Sequence, residues 1–252
     1  MYICNVKKYF NTNFLSMGHL TNENRMKLAR LSTATIATLL FKKGLRNQVI
    51  QNVIPLGKGK ANMVGEAFTL RYIPAREDRN SIEVFKDPAH PQRVAVETCP
   101  ENAVLVMDSR KDARAASAGS ILVTRLMKRN AAGIITDGGF RDSQEISELQ
   151  FPSYHQRPSA PTNLTLHEAI ALNEPISCGD VAVFPEDVLV GDEDGVIVIP
   201  KNLVQEVVNV GTEMTLFENF VMEQVTKGKS IKGLYPLTDE KIKQDFELWK
   251  KG

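Results

Sequence analysis

Cysteine is scarce in this chain, and its few cysteines are far apart. Cys4, Cys99 and Cys178 are too few and too scattered for a disulfide framework, and no CxxC pair suggests a zinc site. This usage fits a reducing compartment. We therefore expect a cytoplasmic protein.

Long apolar runs and an excess of charge of either sign are also missing. No stretch approaches the roughly 20 consecutive apolar residues that span a bilayer, and the N-terminus lacks the apolar core of a secretory signal. The 31 basic and 30 acidic side chains nearly cancel. We expect neither a membrane nor nucleic acid as a partner, and a small polar or anionic ligand is easier to accommodate.

The chain is long enough for one α/β domain with extensions at both ends. Its 252 residues are 42% hydrophobic, which is sufficient for a substantial core. We expect a loose N-terminal arm over 1–23, a domain over 24–227 and a C-terminal tail over 228–252. Apolar spacing predicts a helix from Asn24 to Lys43, stopped by Gly44. Strand formers fill Met63 to Ile73, and the charged segment Pro74 to Arg93 is predicted to be a surface loop.

The central segment predicts a parallel βαβ unit. The apolar runs Ala103–Asp108 and Ala132–Asp137 lack polar alternation, which is typical of strands buried on both faces. Between them, Gly119 to Asn130 has apolar residues at helical spacing. A strand, a helix and a strand of these lengths form a right-handed crossover with parallel strands.

The last part of the domain predicts a hairpin followed by a long helix. Asp194 and Gly195 form a DG turn between two apolar runs, which is a strong hairpin signal. An amphipathic helix is predicted from about Asn202 to Lys227.

Two loops of the βαβ unit meet where ligands of parallel sheets collect, outside the carboxyl ends of the strands. One loop leads into a helix that opens with Gly119, Ser120, Ile121 and Leu122, whose backbone N–H groups favour an anion. The other places Arg141 and Asp142 just past the neighbouring strand. A guanidinium binds a carboxylate through two parallel hydrogen bonds, and a carboxylate suits a hard divalent cation.

A second interpretation of the same residues is purely structural. Asp142 is a good N-cap for a helix near Ser143, and Glu145 stands where a capping box has its acid. The two glycines before the pair, Gly138 and Gly139, favour the functional interpretation. The pattern of the residues alone leaves both open.

The segments Gly119–Pro152 and Pro185–Pro200 together resemble the RraA-like proteins, which include metal-dependent 4-hydroxy-4-methyl-2-oxoglutarate aldolases and regulators of ribonuclease E activity. The resemblance extends over roughly Leu31 to Glu223. It implies an α/β fold, a swivelling β/β/α sandwich domain with a parallel βαβ core and a C-terminal amphipathic helix. It also implies a homo-oligomer, trimer or hexamer, with sites between subunits.

The resemblance further implies a role for each site residue. Arg141 matches the arginine that binds the pyruvyl group, and Asp142 the aspartate that ligates Mg²⁺ or Mn²⁺. The amides at 119–122 match those that hold the pyruvyl carboxylate. Glu218 matches a glutamate from the adjacent subunit, which completes the metal surroundings through water.

One position departs from the aldolase pattern. The aldolases have an aspartate where this chain has Ser120, and that acid helps to hold the water on the metal. Asp108, Asp112 and Arg114 lie in the preceding loop. Asp112 could restore a carboxylate, and Arg114 could bind the far end of a larger substrate; a solvated charged loop is the alternative.

The function implied is that of a class II, metal-dependent aldolase. We expect cleavage of a 4-hydroxy-2-oxo acid to pyruvate, with oxaloacetate decarboxylation as a side activity, because both reactions pass through the same enolate. The alternative is a non-catalytic protein that regulates ribonuclease activity. The intact pair of Arg141 and Asp142 favours catalysis. No glycine-rich nucleotide loop after a strand supports a methyltransferase.

Other polar residues have simpler explanations. His155, beside a proline-rich segment, could carry a proton but is more often a loop residue; His167 has no second histidine nearby to form a metal pair. The acidic run Asp192–Asp194 is explained by the DG turn. Cys178 has no sequence feature that would activate its thiol.

Overall fold

The computed structural model of this chain describes residues 20–57 and 61–251. Most of the predicted N-terminal arm lies outside the described residues. In the described part, the α-helices are α1 (Asn22–Leu28), α2 (Thr33–Lys42), α3 (Pro91–Thr98), α4 (Ser120–Lys128), α5 (Ser143–Glu148), α6 (Val204–Thr226) and α7 (Glu240–Trp249). The strands are β1 (Ile54–Pro55), β2 (Met63–Pro74), β3 (Ala103–Asp108), β4 (Ala116–Ala118), β5 (Gly133–Thr136), β6 (Gly139–Phe140), β7 (Ser153–His155), β8 (Arg157–Pro158), β9 (His167–Leu172), β10 (Ile176–Cys178), β11 (Val181–Val183), β12 (Val188–Asp192) and β13 (Gly195–Ile199).

A mixed, nearly closed sheet organises the domain. Its strand order is β1-β7-β5-β3-β2-β12-β13, and β9 also pairs with β2. The long strand β2 pairs with β12 along its first residues and with β9 along its last ones. The neighbouring pairs β2–β3, β3–β5 and β5–β7 are all parallel, and the buried apolar runs predict this for β3 and β5. The βαβ unit formed by β3, α4 and β5 is confirmed.

A second, three-stranded parallel sheet continues the first at the carboxyl ends of its strands. The chain leaves β3, β5 and β7 and forms β4, β6 and β8, which pair in the order β4-β6-β8. The segment Ser109–Ala118, predicted as a plain loop, therefore ends in a strand. This small sheet carries the turns into α4 and α5.

Helices cover the main sheet on two sides. Helices α3, α4 and α5 bury residues such as Val96, Val123 and Ile146 against β2, β3 and β5. On the other side, α1, α2 and α6 bury residues such as Ile36 and Val208 against β12 and β13. The apolar faces of these helices thus cover the main sheet and remove its apolar side chains from water. Burial of apolar surface is the dominant favourable term in folding.

Three local predictions need correction. The helix predicted from Asn24 to Lys43 is two helices, because the Ser32 hydroxyl accepts the Thr35 N–H at 3.0 Å and begins α2 afresh. The loop predicted up to Arg93 ends earlier, since Pro91 occupies the first turn of α3. The segment 228–252, predicted as a tail, contains α7, whose aromatic residues pack on α6.

The predicted hairpin and long helix are confirmed. Asp192 pairs with Gly195 at the end of the antiparallel β12-β13 pair, around the DG turn. Helix α6 occupies nearly all of the predicted range. Within the described residues, no helix combines the length and the apolar composition that a bilayer crossing needs.

Candidate active site

The turns after β4 and β6 bring the predicted residues together. Strand β4 ends at Ala118 and is followed by Gly119, while β6 ends at Phe140 and is followed by Arg141 and Asp142. The Arg141 N–H donates to the Ala118 carbonyl at 3.0 Å. The parallel pairing of β4 and β6 therefore places Arg141 and Asp142 beside the start of α4, as the sequence predicts.

The carboxylate of Asp142 does not cap the helix that follows it. Asp142 stands at the N-cap position of α5, yet it has left-handed backbone angles (φ 54°, ψ 40°) and its side chain makes no capping hydrogen bond there. Instead, Asp142 Oδ2 lies 3.2 Å from the Ser120 backbone N and 3.4 Å from the Ser120 hydroxyl. The capping-box interpretation is wrong for this side chain, which faces the neighbouring loop.

Gly119 leaves room for that contact. A Cβ at this position would lie 2.6 Å from Asp142 Oδ2 and 2.9 Å from Arg141 Cγ. Its backbone is extended, and it gives α4 no side-chain cap. The Ser120 N–H is used by Asp142, whereas the N–H groups of Ile121 and Leu122, in the first turn of α4, have no acceptor within the helix and favour an anion.

A pocket of about 400 Å³ opens in front of these residues. Its apolar and polar walls come from the segment before α3, from α3, β4 and α4, from the turn after β6 and from the segment before β9. The lining residues are Ile82, Phe85, Gln92, Arg93, Ala116, Ser117, Ala118, Gly119, Ile121, Leu122, Arg141, Asp142, Thr162 and Asn163. Of the residues predicted at 119–122, Ser120 contributes its backbone N–H beside Asp142 and is not part of the wall.

The structure leaves Arg114 and Asp112 outside this pocket. Arg114 is exposed and binds Asp112 through two hydrogen bonds of 3.0 and 2.7 Å. The guanidinium lowers the pKa of Asp112 to about 2. Asp108 is buried and accepts the backbone N–H groups of Arg110 and Ser177. Neither carboxylate lies where it would replace the aspartate missing at Ser120.

Glu218 is also remote from the pocket within one chain. Its Oε2 accepts a hydrogen bond of 2.9 Å from the Thr35 hydroxyl, which ties α6 to α2. A contribution of Glu218 to the pocket requires a neighbouring subunit.

A buried carboxylate organises the backbone behind the small sheet. Asp137 accepts N–H groups of Ser109, Lys111 and Gly179 at 2.6 to 3.1 Å. Burial, with a smaller contribution from Asp108, raises the pKa of Asp137 to about 6. Asp137 therefore holds together the loops after β3 and β10.

The remaining candidates have structural environments. His155 is buried, stacks on Phe140 at 5.5 Å, and its burial lowers its pKa to about 4. His167 contacts Arg110 through Nδ1 and the Asp112 carbonyl through Nε2. Asp192 accepts hydrogen bonds from Thr33 and Asp194, as the turn interpretation predicts. The Cys178 thiol is buried, which raises its pKa well above the ordinary value.

The sequence prediction missed several residues of the pocket, and two of the polar ones are Arg93 and Asn163. Arg93 falls in the segment predicted to be a surface loop, and the sequence gives no reason to single out Asn163. The helix signal at Pro91 followed by apolar residues at 94–96 could have placed Arg93 on α3. No local signal marks Asn163, because only the fold brings its segment to β4.

The carboxylate chemistry of the site suits a hydrated cation. Among residues 20–57 and 61–251, no cluster of three or more His, Cys, Asp or Glu could enclose a metal ion. Mg²⁺ commonly keeps several waters and binds proteins through one or two carboxylates together with oxygens of the substrate. Asp142, with oxygens turned to the pocket side of α4, fits this mode of binding.

Comparison with protein families agrees with the fold. Residues 33–198 match the family model described as RraA-like, Aldolase/RraA. Protein DlpA of Legionella pneumophila is 25% identical over 81% of this chain and 32% of its own length. A Halalkalibacterium halodurans protein, provisionally named a 4-hydroxy-4-methyl-2-oxoglutarate aldolase, is 36% identical over 39% of this chain and 46% of its own length. The chain thus spans less than half of the length of either relative.

Solved structures share the architecture. Streptomyces coelicolor RraAS2, described as an unusual member of the RNase ES inhibitor RraA protein family, superposes with a TM-score of 0.70 and 27% identity. The match covers 79% of this chain and 96% of that one. An uncharacterized Pseudomonas syringae protein has a TM-score of 0.72 at 18% identity over 86% of this chain and 98% of its own, which shows the fold alone.

Proposed function

This chain belongs to the RraA-like family, and from that premise we propose that it is a metal-dependent lyase of the class II aldolase type, which cleaves a 4-hydroxy-2-oxo acid to pyruvate. One observation carries the proposal. The carboxylate of Asp142 faces the first turn of α4 beside the Arg141 side chain, around a glycine that leaves no space for a Cβ. Relatives named as aldolases support the reaction class.

In the proposed complex, Arg141 and the amides of α4 orient the pyruvyl end of the substrate. Among the described residues, Arg141 forms one ion pair, in which its Nε lies 3.5 Å from Asp142 Oδ1. Its remaining N–H groups are therefore available for two parallel hydrogen bonds to a carboxylate. The N–H groups of Gly119, Ile121 and Leu122 would add the positive end of a helix to the same anion.

Asp142 is the residue that would hold Mg²⁺ or Mn²⁺, and Glu218 of a neighbouring subunit would complete the surroundings through water. When bound, the ion would supply positive charge to the oxygens of the 2-oxo acid group. Ser120 would donate its N–H to the Asp142 carboxylate and so fix the direction of that carboxylate.

The bond changes follow from the substrate. The C3–C4 bond breaks, its electron pair passes into the 2-oxo group as an enolate, and the 4-hydroxyl loses its proton as C4 becomes a carbonyl. A proton added to C3 then gives pyruvate. No histidine lines the pocket in the described part of the chain, so we assign both proton transfers to water. Oxaloacetate would lose CO₂ through the same enolate.

A coupled assay for pyruvate tests this proposal on a panel of 4-hydroxy-2-oxo acids, with Mn²⁺ or with EDTA. We expect Mn²⁺-dependent turnover, and we expect Arg141→Ala to lower kcat/KM by about 100-fold, because two charge-assisted hydrogen bonds are lost. Arg125→Ala is the matched control, since Arg125 lies on α4 but is paired with Glu97 away from the pocket. Absence of metal-dependent turnover, or turnover by Arg141→Ala equal to that of the wild type, would contradict the assignment as a lyase.

The likeness to RraAS2 favours a second candidate, a protein that binds and regulates a ribonuclease. In that case purified chain would inhibit cleavage by an RNase E-type enzyme, and Arg141→Ala would inhibit as well as the wild type. Inhibition without aldolase turnover would select this candidate.

A further inference from the structure

The pocket has a second polar end, formed by Arg93 and Asn163. Both residues line the same cavity as Arg141 and Asp142. They come from two separate elements: α3, which contacts β4 through Gln92, and the segment before β9, which contacts β4 through Pro161.

Arg93 presents a cation without a carboxylate partner. Its guanidinium carbon lies 4.5 Å above the centre of the Phe85 ring, and Arg93 forms no ion pair within the described residues. Stacking on an aromatic face fixes the plane of a guanidinium and leaves its N–H edge for an anion. Arg93 is half-buried, so an anion there would be only partly screened by water.

Asn163 presents a buried side-chain amide whose Nδ2 has no hydrogen-bond partner. It is 4% exposed, and its Nδ2 makes no hydrogen bond, while its Oδ1 accepts one of 3.3 Å from the Thr162 hydroxyl. Because a hydroxyl can donate or accept, one polar atom of this amide stays unpaired in either orientation. A buried polar atom without a hydrogen bond is unfavourable, and an oxygen atom of a ligand could supply the missing partner.

Strand β4 fixes the order of the polar groups along the pocket. The Ala116 N–H donates a hydrogen bond of 2.9 Å to the Pro161 carbonyl. The Ser117 carbonyl accepts one of 2.7 Å from the Gln92 side-chain amide. The Ala118 carbonyl accepts one of 3.0 Å from the Arg141 N–H. The segment with Asn163 is therefore attached at one end of β4, α3 at its middle, and Arg141 at its other end.

We propose that Arg93 and Asn163 form a subsite for a carboxylate at the distal end of the substrate, so that the pocket selects short 2-oxo dicarboxylates over neutral-ended 2-oxo acids. The proposal rests on the proposed function for the pyruvyl end. Apolar wall residues, among them Ile82 and Leu122, then contact the carbons between the two charged groups.

Binding, rather than turnover, gives the first test. Calorimetry in the presence of Mn²⁺ compares 2-oxoglutarate with 2-oxopentanoate, which has the same chain length but a methyl group in place of the distal carboxylate. We expect the wild type to bind the diacid about 10 to 100 times more tightly, the range expected for one charge-assisted hydrogen bond. We expect Arg93→Gln to remove most of this preference, and Asn163→Asp to reverse its sign through repulsion.

Three further variants separate recognition from folding. Arg93→Lys retains the positive charge and should restore most of the preference, whereas Arg125→Gln, remote from the pocket, should leave it unchanged. Thermal unfolding of each variant checks that the fold persists. Equal affinity of the wild type for the two acids, or a preference that survives Arg93→Gln, would overturn the subsite.

Kinetics then distinguish failure of the subsite from failure of the reaction. With 4-hydroxy-2-oxoglutarate and 4-hydroxy-2-oxopentanoate as substrates, Arg93→Gln should lower kcat/KM for the diacid alone. Turnover of both acids with equal kcat/KM would contradict the subsite and leave the lyase intact. A binding preference without turnover of either acid would contradict the lyase and leave the subsite intact.

Discussion

Asp142 and Gly119 illustrate how two residues define the site. An aspartate tolerates left-handed backbone angles better than most residues, and here those angles turn the Asp142 carboxylate away from α5 and toward Ser120. Gly119 is needed on the opposite side because a Cβ would overlap that carboxylate. The left-handed backbone of Asp142 and the absence of a Cβ at Gly119 together allow the Asp142 carboxylate to reach Ser120.

Gly119→Ala should separate activity from stability. The new Cβ would displace Asp142 Oδ2 and Arg141 Cγ, which belong to movable side chains at the surface. The extended backbone of Gly119 accepts alanine, so we expect the free energy of unfolding to change by about 1 kcal/mol or less, a usual cost at an N-cap. We expect kcat/KM for pyruvate release to fall by about 100-fold, as misplacement of a reacting group by an ångström can cause.

Gly138→Ala is the contrasting control. A Cβ there would lie 2.7 Å from Ser109 Cβ and 2.8 Å from Ser117 Oγ, both buried. Overpacking of this kind costs about 1 to 3 kcal/mol, so denaturant unfolding should detect it. Full activity in Gly119→Ala would mean that the contact between Gly119 and Asp142 has no part in function.

At this scale the sequence predicted which residues lie together better than how their side chains are oriented. Arg141, Asp142 and Gly119 were nominated correctly as neighbours, because strand ends in a parallel sheet meet at one edge. The direction of the Asp142 side chain could not be predicted, because Asp142 with Glu145 three residues later is equally compatible with a local helix cap. Only the contact with Ser120, 22 positions earlier in the chain, decides between the two.

At the scale of elements, the site depends on the small sheet rather than on β3 and β5 alone. Strands β4, β6 and β8 contain two or three residues each. Such short segments carry no periodic pattern, so the sequence predicted a plain loop before Gly119. Strands β3 and β5 were predicted from uninterrupted apolar runs, and α4 and α6 from apolar residues at helical spacing. Arg93 was missed because the first residues of α3 continue a charged, proline-containing segment that is typical of a loop.

His155 couples β7 to β6 and makes this region sensitive to acid. Burial lowers its pKa from 6.5 to about 4. Because the folded pKa lies below the unfolded one, the neutral ring is fully compatible with folding above about pH 6.5, and stability is lost as pH falls from there toward 4. The full loss would be about 3 kcal/mol.

The variant His155→Leu tests this linkage through denaturant unfolding at pH 7.5, 6, 5 and 4.5. We expect the variant to lose the stacking on Phe140 at every pH, and to gain on the wild type by up to about 1.4 kcal/mol per pH unit below 6.5. The difference between the two proteins cancels the opposite trend from Asp137, whose raised pKa stabilises the folded state at low pH. A constant difference between the two proteins over this range would contradict a buried neutral His155.

At the scale of the whole molecule, one chain presents an incomplete set of the residues that the family pattern implies. Arg141 and Asp142 lie at the carboxyl edge of the small sheet, whereas Glu218 lies on α6 and is bonded to Thr35 on the other side of the main sheet. The sequence could match Glu218 to a role, but a role in another subunit cannot be read from the contacts of one chain. We therefore propose a trimer or hexamer in which Glu218 reaches the pocket of a neighbour.

Complementation between inactive variants tests that arrangement. Asp142→Asn and Glu218→Gln should each lower pyruvate release strongly when expressed alone. If Glu218 acts across an interface, co-expression of the two should restore activity, because about a quarter of the interfaces in a random symmetric assembly combine an intact Asp142 with an intact Glu218. Native mass spectrometry of the same sample gives the number of subunits. Thr35→Ala removes the intrachain hydrogen bond of Glu218, and it should cost about 1 kcal/mol of stability while leaving turnover nearly intact. If the mixture is no more active than its parents, Glu218 serves only to hold α6 against α2.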